Sequence, residues 1–195
     1  MDIIICGVGG QGTVLASRVL GDAAIRKGYQ VRTSEIIGMA QREGSVLSEV
    51  RMAAELQGPL VPDAGADFLL GFELAEATRY AHKIKPGSQV LINQQTIIPP
   101  AVFLGASVYP AEEMLAFWKS LVSGVVFIDA VHLAQQAGER RTVSAVMLGA
   151  FTAMNQELEP DLVREELLTR FSGEKKDYNA RAFDLGREYV EGLSR

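Results

Sequence analysis

Short runs of apolar, β-branched residues recur along the chain and predict buried strands. The first is Ile3-Ile4-Ile5, and later runs cover residues 66–72, 89–93 and 124–129. Continuous apolar runs of this length, bounded by turn residues, are typical of strands that are covered on both faces. Residues 29–35 instead alternate between polar and apolar positions, which predicts a strand with one exposed face.

Apolar residues between these strands repeat at three- and four-residue spacing and predict amphipathic helices. We expect helices over residues 14–20, 73–83 and 110–121, and we expect the chain to be helical from residue 130 onward. A turn is predicted at Lys85-Pro86-Gly87, and a short edge strand at 107–109.

One segment of the helical third, residues 143–154, is apolar on nearly every side and is therefore expected to be buried. Its small residues permit close approach of another element, which we place in the core of the protein rather than in a partner chain. The last helix is expected to bury one stripe of side chains: Tyr178, Ala182, Leu185, Gly186, Tyr189 and Leu193.

Strands that alternate with helices favour an α/β fold built on a parallel sheet. The sequence predicts one domain over residues 1–195. Its fold class is three-layer and Rossmann-like, with a mostly parallel sheet, an inserted loop with an extra strand, and a helical C-terminal third.

A glycine-rich turn joins the first predicted strand to the first predicted helix. Gly7, Gly9 and Gly12 match the G-x-G-x-x-G pattern of dinucleotide-binding proteins, in the position that the pattern requires. The first amides of a helix have no intrahelical acceptor and attract anions such as phosphate. Such a turn also serves simply to pack a helix tightly against a strand, and the turn alone leaves both interpretations open.

Residues 36–52 depart from a regular Rossmann pattern. The first part mixes glycines with polar residues and predicts an ordered functional loop, and residues 46–52 predict an extra strand. Arg42 could donate two hydrogen bonds to a phosphate or a carboxylate, although Arg42 and Glu43 could equally be solvated neighbours.

Composition excludes several classes of function. The chain has 19 Lys and Arg against 24 Asp and Glu, a formal charge of −5, which argues against nucleic-acid binding. No apolar run approaches the ~20 residues that cross a bilayer, and the N-terminus is unlike a signal peptide. We therefore expect neither a membrane nor a nucleic acid as a partner, and the cytoplasm as the location.

The chain has one cysteine, Cys6, and two histidines, His82 and His132. An iron–sulfur cluster normally takes four cysteine thiolates, and this chain supplies one. A stably bound cluster or metal is therefore not expected on this chain. Cys6 is predicted to be a small buried hydrophobe, and each histidine a surface or helix-end residue.

Several motifs together are more specific than any one of them. They are Gly7-x-Gly9-Gly10-Gln11-Gly12, the run from Gly38 to Val46 and Val50-Arg51, followed by Ala66-Asp67, Lys85-Pro86-Gly87, Asn93, Met147-Leu148-Gly149-Ala150 and Asn179-x-x-Ala182-Phe183. This set, which spans nearly the whole chain, resembles the gamma subunit or domain of the 2-oxoacid:ferredoxin oxidoreductases, and within them the indolepyruvate-type beta subunits. Glu139 and Ser144 depart from the family pattern, which has asparagine at both positions in many members.

The resemblance implies one subunit of an enzyme that is not active alone. The whole enzyme oxidatively decarboxylates a 2-oxoacid, here an indolepyruvate or other arylpyruvate, forms the acyl-coenzyme A and passes electrons to ferredoxin. Thiamine diphosphate and [4Fe-4S] clusters are implied on a larger alpha subunit, with no cofactor bound stably by this chain.

The resemblance also implies that this module lies near the coenzyme A site. We assign no catalytic residue and no metal ligand to this chain. The predicted anion-binding or coenzyme A-proximal residues are Gly9, Gly10, Gln11, Gly12, Thr13, Gln41, Arg42 and Ser45.

Two other functions fit parts of the sequence. A free-standing NAD-binding oxidoreductase would use the glycine turn and Glu35, an acid near the place where Rossmann domains bind the ribose. A non-catalytic assembly module would bind no ligand at the turn and would expose a large apolar patch.

Overall fold

The computed structural model describes residues 1–38, 44–55 and 58–193. Its strands are β1 (Asp2–Val8), β2 (Gln30–Ile37), β3 (Ser45–Ala53), β4 (Ala66–Gly71), β5 (Ile84–Asn93) and β6 (Val126–Ile128). Its helices are α1 (Thr13–Arg26), α2 (Leu74–Arg79), α3 (Pro100–Phe103), α4 (Ala111–Leu121), α5 (Ala130–Ala137), α6 (Val143–Met154), α7 (Pro160–Leu168) and α8 (Glu174–Leu193).

The six strands form one sheet in the order β2-β3-β1-β4-β5-β6. Strands β1, β4, β5 and β6 are parallel neighbours, while β3 is antiparallel to both β1 and β2. Only β3 therefore runs against the others, which confirms a mostly parallel sheet with one extra strand.

Helices cover both faces of the sheet, because alternate residues of each central strand point in opposite directions. Ile3 and Ile5 of β1 contact a core built with α1, α5, α6, α7 and α8. Ile4 and Cys6 contact a smaller core built with α2 and α4. The predicted three-layer arrangement is thereby confirmed.

Helices α6 and α8 cross with their backbones in contact. A Cβ atom on Gly149 would lie 1.9 Å from the carbonyl oxygen of Phe183, and one on Gly186 would lie 2.0 Å from that of Val146. The predicted close approach at the small residues of α6 thus occurs within the core of this chain.

Four local predictions are wrong. The helix predicted over 73–83 ends at Arg79 and is followed by a 3-10 turn. The predicted turn at residues 85–87 lies within β5, where the register with β4 shifts, and residues 107–109 form no strand. The last helix buries Asn179, Phe183 and Val190 beside Ala182 and Gly186, while Tyr189 and Leu193 are exposed, because the crossing with α6 rotates its contact face.

Candidate functional site

The glycine turn lies at the carboxyl end of β1, with Gly9 and Gly10 exposed to solvent. Gly10 and Gly12 have φ angles of 98° and 88°, a left-handed conformation that strongly favours glycine. Gly12 is the N-cap of α1, and none of the side chains that the structure describes caps that helix. The turn is therefore open rather than covered by its own side chains.

The amides of the turn are only partly used within the protein. The Gly9 amide donates to the Gly44 carbonyl at 2.8 Å, and the Gln11 amide donates to the Val8 carbonyl at 3.1 Å. Among the described residues, the amides of Gly10, Gly12 and Thr13 have no acceptor. These donors, with the positive end of the α1 dipole, form an environment suited to an anion.

The carboxamide of Gln11 holds the turn to three strands. Its Oε1 accepts from the Val8 amide at 2.7 Å, and its Nε2 donates to the Phe72 carbonyl at 2.9 Å and to Gln95 Oε1 at 3.1 Å. Gln11 thus fixes the ends of β1, β4 and β5 relative to one another. Its side chain supports the shape of the turn rather than offering free donors to a ligand.

A cavity of about 260 Å³ opens beside the turn, on the face of the sheet that α6 and α8 cover. Its walls join the turn to the 3-10 turn before α6 and to the first turns of α8. The lining residues are Gly10, Gln11, Gly12, Leu15, Glu139, Arg141, Thr142, Ser144, Phe171, Lys175, Tyr178 and Asn179.

Charges of both signs line this cavity. Glu139 accepts from the amide of Arg141 at 3.0 Å and pairs with its Nε at 3.4 Å. That amide, followed by the Arg141 charge, lowers the pKa of Glu139 below its usual range, so its carboxylate is ionised at neutral pH. With Arg141 and Lys175 on the same wall, the side chains carry a net positive charge.

The structure does not bring all the predicted site residues together. Gly10, Gln11 and Gly12 line the cavity, and Gly9 is exposed beside them, while Thr13 is buried and its methyl group lies near Gly7. Gln41 and Arg42 lie outside the described residues.

Ser45 lies on the other face of the sheet from the cavity. Its hydroxyl donates to Oε2 of Glu76 on α2 at 2.5 Å. Side chains two residues apart in a strand point to the same face of the sheet, so Ser45 points to the same face as Leu47, which belongs to the smaller core. Ser45 is therefore placed away from the cavity that the glycine turn lines.

The structure places Glu35, the acidic residue that the NAD interpretation requires, away from the glycine turn. Glu35 belongs to β2, which is separated from β1 by the inserted strand β3. Strands lie about 4.8 Å apart, so Glu35 is roughly 10 Å of sheet width away from the strand that carries the glycine turn. Glu35 instead forms an ion pair with Arg18, with 3.8 Å between Arg18 Nε and Glu35 Oε1.

The buried carboxylate of Glu73 anchors both ends of the segment 97–109. Glu73 is 1% exposed, and it accepts from the amides of Glu76 at 2.9 Å and Ile97 at 3.1 Å and from the hydroxyl of Tyr109. Between these anchors, the segment exposes the apolar side chains Ile98, Phe103, Leu104 and Val108.

Tyr109 is expected to make the stability of the protein sensitive to alkaline pH. Burial, followed by the hydrogen bond to Glu73, raises the pKa of Tyr109 well above its usual value near 10. Stabilisation by the neutral phenol is then fully present below pH ~10 and is lost as pH rises towards the folded-state pKa. Tyr109→Phe should reduce the free energy of unfolding by about 1 kcal/mol at pH 7. Above pH 10, the free energy of unfolding of Tyr109→Phe, measured by urea titration, should fall less steeply with pH than that of the wild type. The same pH dependence in both proteins would contradict this prediction.

Cys6 is fully buried in the smaller core, as predicted. Burial, followed by the charges of Glu76 and Glu73, raises the pKa of its thiol well above the usual value. Because the thiolate is the reactive form, we expect native protein at pH 8 to react with iodoacetamide at least roughly 100-fold more slowly than urea-unfolded protein. Mass spectrometry of the alkylated fraction measures this difference, and equal rates would contradict it.

Both histidines are exposed, His82 in the 3-10 turn after α2 and His132 in the first turn of α5, as predicted. Across the described part of the chain, no three His, Cys, Asp or Glu side chains are grouped in a way that could hold a metal ion. No helix within the same residues is long and apolar enough to cross a bilayer.

Comparison with known proteins decides the family. The model of the pyruvate ferredoxin/flavodoxin oxidoreductase family matches residues 2–189. The chain belongs to this family.

Curated relatives match over nearly their whole length. The chain is 39% identical to the indolepyruvate oxidoreductase subunit IorB of Pyrococcus horikoshii, over 95% of this chain and 93% of the relative. It is 34% identical to the IorB subunit of Archaeoglobus fulgidus, over 100% of this chain and 96% of the relative.

Solved structures share the fold. The gamma subunit of a keto/oxoacid ferredoxin oxidoreductase from Geobacter sulfurreducens has a TM-score of 0.72 at 22% identity, covering 98% of both chains. A 2-oxoglutarate:ferredoxin oxidoreductase from Magnetococcus marinus has a TM-score of 0.74 at 23% identity. It covers 99% of this chain and 31% of that longer chain, so the same fold occurs there within a larger polypeptide.

Sequence reasoning in this family member missed one wall of the cavity. Arg141 and Lys175 are more than 125 positions away from the glycine turn, and as charged residues they gave no local signal of a site. Tyr178 was predicted only as a member of the buried stripe of the last helix. Two signals were present in the sequence: the motif that begins at Asn179, which lines the cavity, and the departure of Glu139 and Ser144 from the family pattern. Both of these departing residues also line the cavity.

Proposed function

We propose that this chain is a subunit of an indolepyruvate-type 2-oxoacid:ferredoxin oxidoreductase and acts as one gamma-type domain over residues 1–195. The whole enzyme oxidatively decarboxylates an arylpyruvate to the acyl-coenzyme A and passes the electrons to ferredoxin in the cytoplasm. The observation that carries this proposal is the 34% to 39% identity with IorB subunits over at least 93% of their length.

The redox cofactors belong, in this proposal, to a larger partner subunit. A [4Fe-4S] cluster takes four thiolates, and this chain supplies one cysteine, which is enclosed between the sheet and α2. The residues present therefore do not fit such a cluster. The partner would supply thiamine diphosphate and the clusters, while this chain would position a substrate by shape and charge.

The glycine turn is the part of this chain that we place beside coenzyme A. Free amides at Gly10, Gly12 and Thr13 suit a phosphate, and Gly9 and Gln11 shape the turn. The structural neighbour from Magnetococcus marinus was solved with coenzyme A bound, which supports coenzyme A as a ligand of the whole enzyme. Gln41 and Arg42 stay predicted members of the site, and Ser45 is left out because its hydroxyl is bound to Glu76.

Reconstitution tests the proposal directly. The chain, the larger subunit and the two together should be assayed for arylpyruvate-dependent reduction of ferredoxin, with and without coenzyme A. We expect turnover only from the two subunits together and only with coenzyme A. Turnover by this chain alone, or turnover by the complex at a rate that does not depend on coenzyme A, would overturn the proposal.

The NAD alternative has its own measurement. Calorimetric titration of the isolated chain with NAD is expected to show no saturable binding, because β3 keeps Glu35 away from the turn. Saturable binding at micromolar NAD would restore that alternative.

A further inference from the structure

We propose that the apolar segment 97–109 is the surface on which the larger subunit of the enzyme docks. The partner surface that fits this segment has an apolar centre and Lys or Arg side chains at its rim. The inference deepens the function proposed above and rests on it for the existence of the larger subunit.

The segment presents large apolar side chains to solvent. Phe103, Leu104 and Val108 are 77%, 83% and 82% exposed, and no residue from 94 to 111 carries a charge. Single exposed apolar residues are ordinary on a protein surface, whereas several of them in one uncharged stretch are typical of a surface that a partner covers. An aromatic residue without charged neighbours is also typical of the centre of an interface.

Hydrogen bonds hold the segment in one shape in the isolated chain. The amides of Val102, Gly105 and Ala106 donate to carbonyls within the segment at 2.9 to 3.0 Å. Glu73 holds the two ends, through the amide of Ile97 and the hydroxyl of Tyr109. A surface that is already ordered loses little conformational entropy on binding, so this one is suited to docking a partner.

The position of the segment indicates which partner covers it. Strands β1 and β5 are both parallel to β4, so their carboxyl ends lie at the same edge of the sheet. The glycine turn follows β1 at this edge, and the segment follows β5, about 10 Å of sheet width away. Just before the segment, Gln95 accepts a hydrogen bond from Gln11 of the turn at 3.1 Å. One subunit that brings its cofactor to the turn therefore covers the segment as well.

Charge favours the larger subunit over a second copy of this chain. Glu112 and Glu113, in the first turn of α4, are exposed shortly after the end of the segment. In a twofold-symmetric dimer the same patch faces itself, so two copies would bring these carboxylates into one interface. Like charges there cost free energy, whereas cations at the rim of a different partner are attracted.

Binding measurements with the two full-length subunits, purified separately, test this surface. Leu104→Asp and Val108→Asp should each weaken binding of the larger subunit at least about tenfold, because each places a charge at the apolar centre. Replacing Glu112 and Glu113 together by lysine should lower the association rate constant about threefold or more at low salt. Biolayer interferometry measures both quantities.

Ile25→Asp is the matched control. Ile25 is 57% exposed on α1, which covers the opposite face of the sheet from α4. This variant should change the affinity less than about twofold. All of the aspartate variants change exposed side chains, so their unfolding midpoints in urea should match that of the wild type.

Three results would overturn the proposed surface. They are unchanged affinity in Leu104→Asp and Val108→Asp, an equal loss in Ile25→Asp, and a dimer of the isolated chain that Leu104→Asp dissociates. Sedimentation velocity detects the last of these, which would make a second copy the occupant.

The surface and the proposed function fail separately. In the turnover assay, Leu104→Asp should need at least about tenfold more of the larger subunit to reach half of an unchanged maximal rate. If the complex forms through the segment but shows no turnover of arylpyruvate, the surface stands and the proposed function fails. If the assembled enzyme is active while Leu104→Asp binds as tightly as the wild type, the function stands and the surface fails.

Discussion

Gly149→Ala is expected to reduce the free energy of unfolding by about 3 kcal/mol or more, the upper end of the usual cost of overpacking. The added methyl group would lie 1.9 Å from the Phe183 carbonyl oxygen, which is backbone and cannot rotate away. Helices α6 and α8 would have to separate, and most of α6 is buried. Since small domains have about 5–15 kcal/mol in total, this one methyl group removes a large share of the stability.

Gly192→Ala is the matched control on α8. No atom of residues 1–38, 44–55 or 58–193 lies within 4 Å of the added Cβ, and the helix propensity of alanine predicts a gain between zero and about 1 kcal/mol. Urea unfolding followed by circular dichroism compares the two variants. If Gly149→Ala lay within 1 kcal/mol of wild type, the described crossing of α6 and α8 would be wrong.

Gln11→Glu is expected to damage both stability and coenzyme A use. A carboxylate cannot donate to the Phe72 carbonyl or to Gln95, so two hydrogen bonds made by Nε2 are lost. An acidic group beside the glycine turn also repels a phosphate. We expect a loss of about 2 kcal/mol in unfolding free energy and an increase of about tenfold or more in the KM for coenzyme A of the assembled enzyme.

Gln135→Glu adds the same charge at an exposed position of α5 and serves as its control. Its KM for coenzyme A and its unfolding midpoint should match those of wild type. A Gln11→Glu enzyme with normal stability and normal KM would show that the carboxamide does not shape the turn. A normal KM for coenzyme A with reduced stability would show that Gln11 has a structural role but that the turn does not contact coenzyme A.

The apolar segment 97–109 does not by itself distinguish an enzyme subunit from a non-catalytic assembly module. It carries no charged residue, and Glu73 anchors it at both ends. A subunit whose partner covers this segment and a non-catalytic assembly module would both expose it in the isolated chain. Activity of the reconstituted enzyme is therefore the measurement that separates those two interpretations.

Local patterns predicted most elements because each depends on neighbouring residues. The triple isoleucine, the left-handed glycines of the turn and the apolar run of α6 gave the strands, the start of α1 and the buried helix. The predictions that failed depend on distant contacts. The face of α8 that is buried is set by the position at which α6 crosses it. Residues 85–87 belong to β5, at the point where its pairing register with β4 shifts.

The sequence by itself determined the layered α/β fold, the position of the glycine turn and the family, because these depend on local spacing and on short motifs. Only the tertiary structure decided that Ser144, Arg141 and Lys175 meet the turn while Ser45 and Glu35 do not. The physical reason is that β3 inserts beside β1 and that α6 and α8 pack at two glycines. The local pattern predicted the extra strand and a close approach of another element to α6, but not which distant side chains these contacts bring together or keep apart.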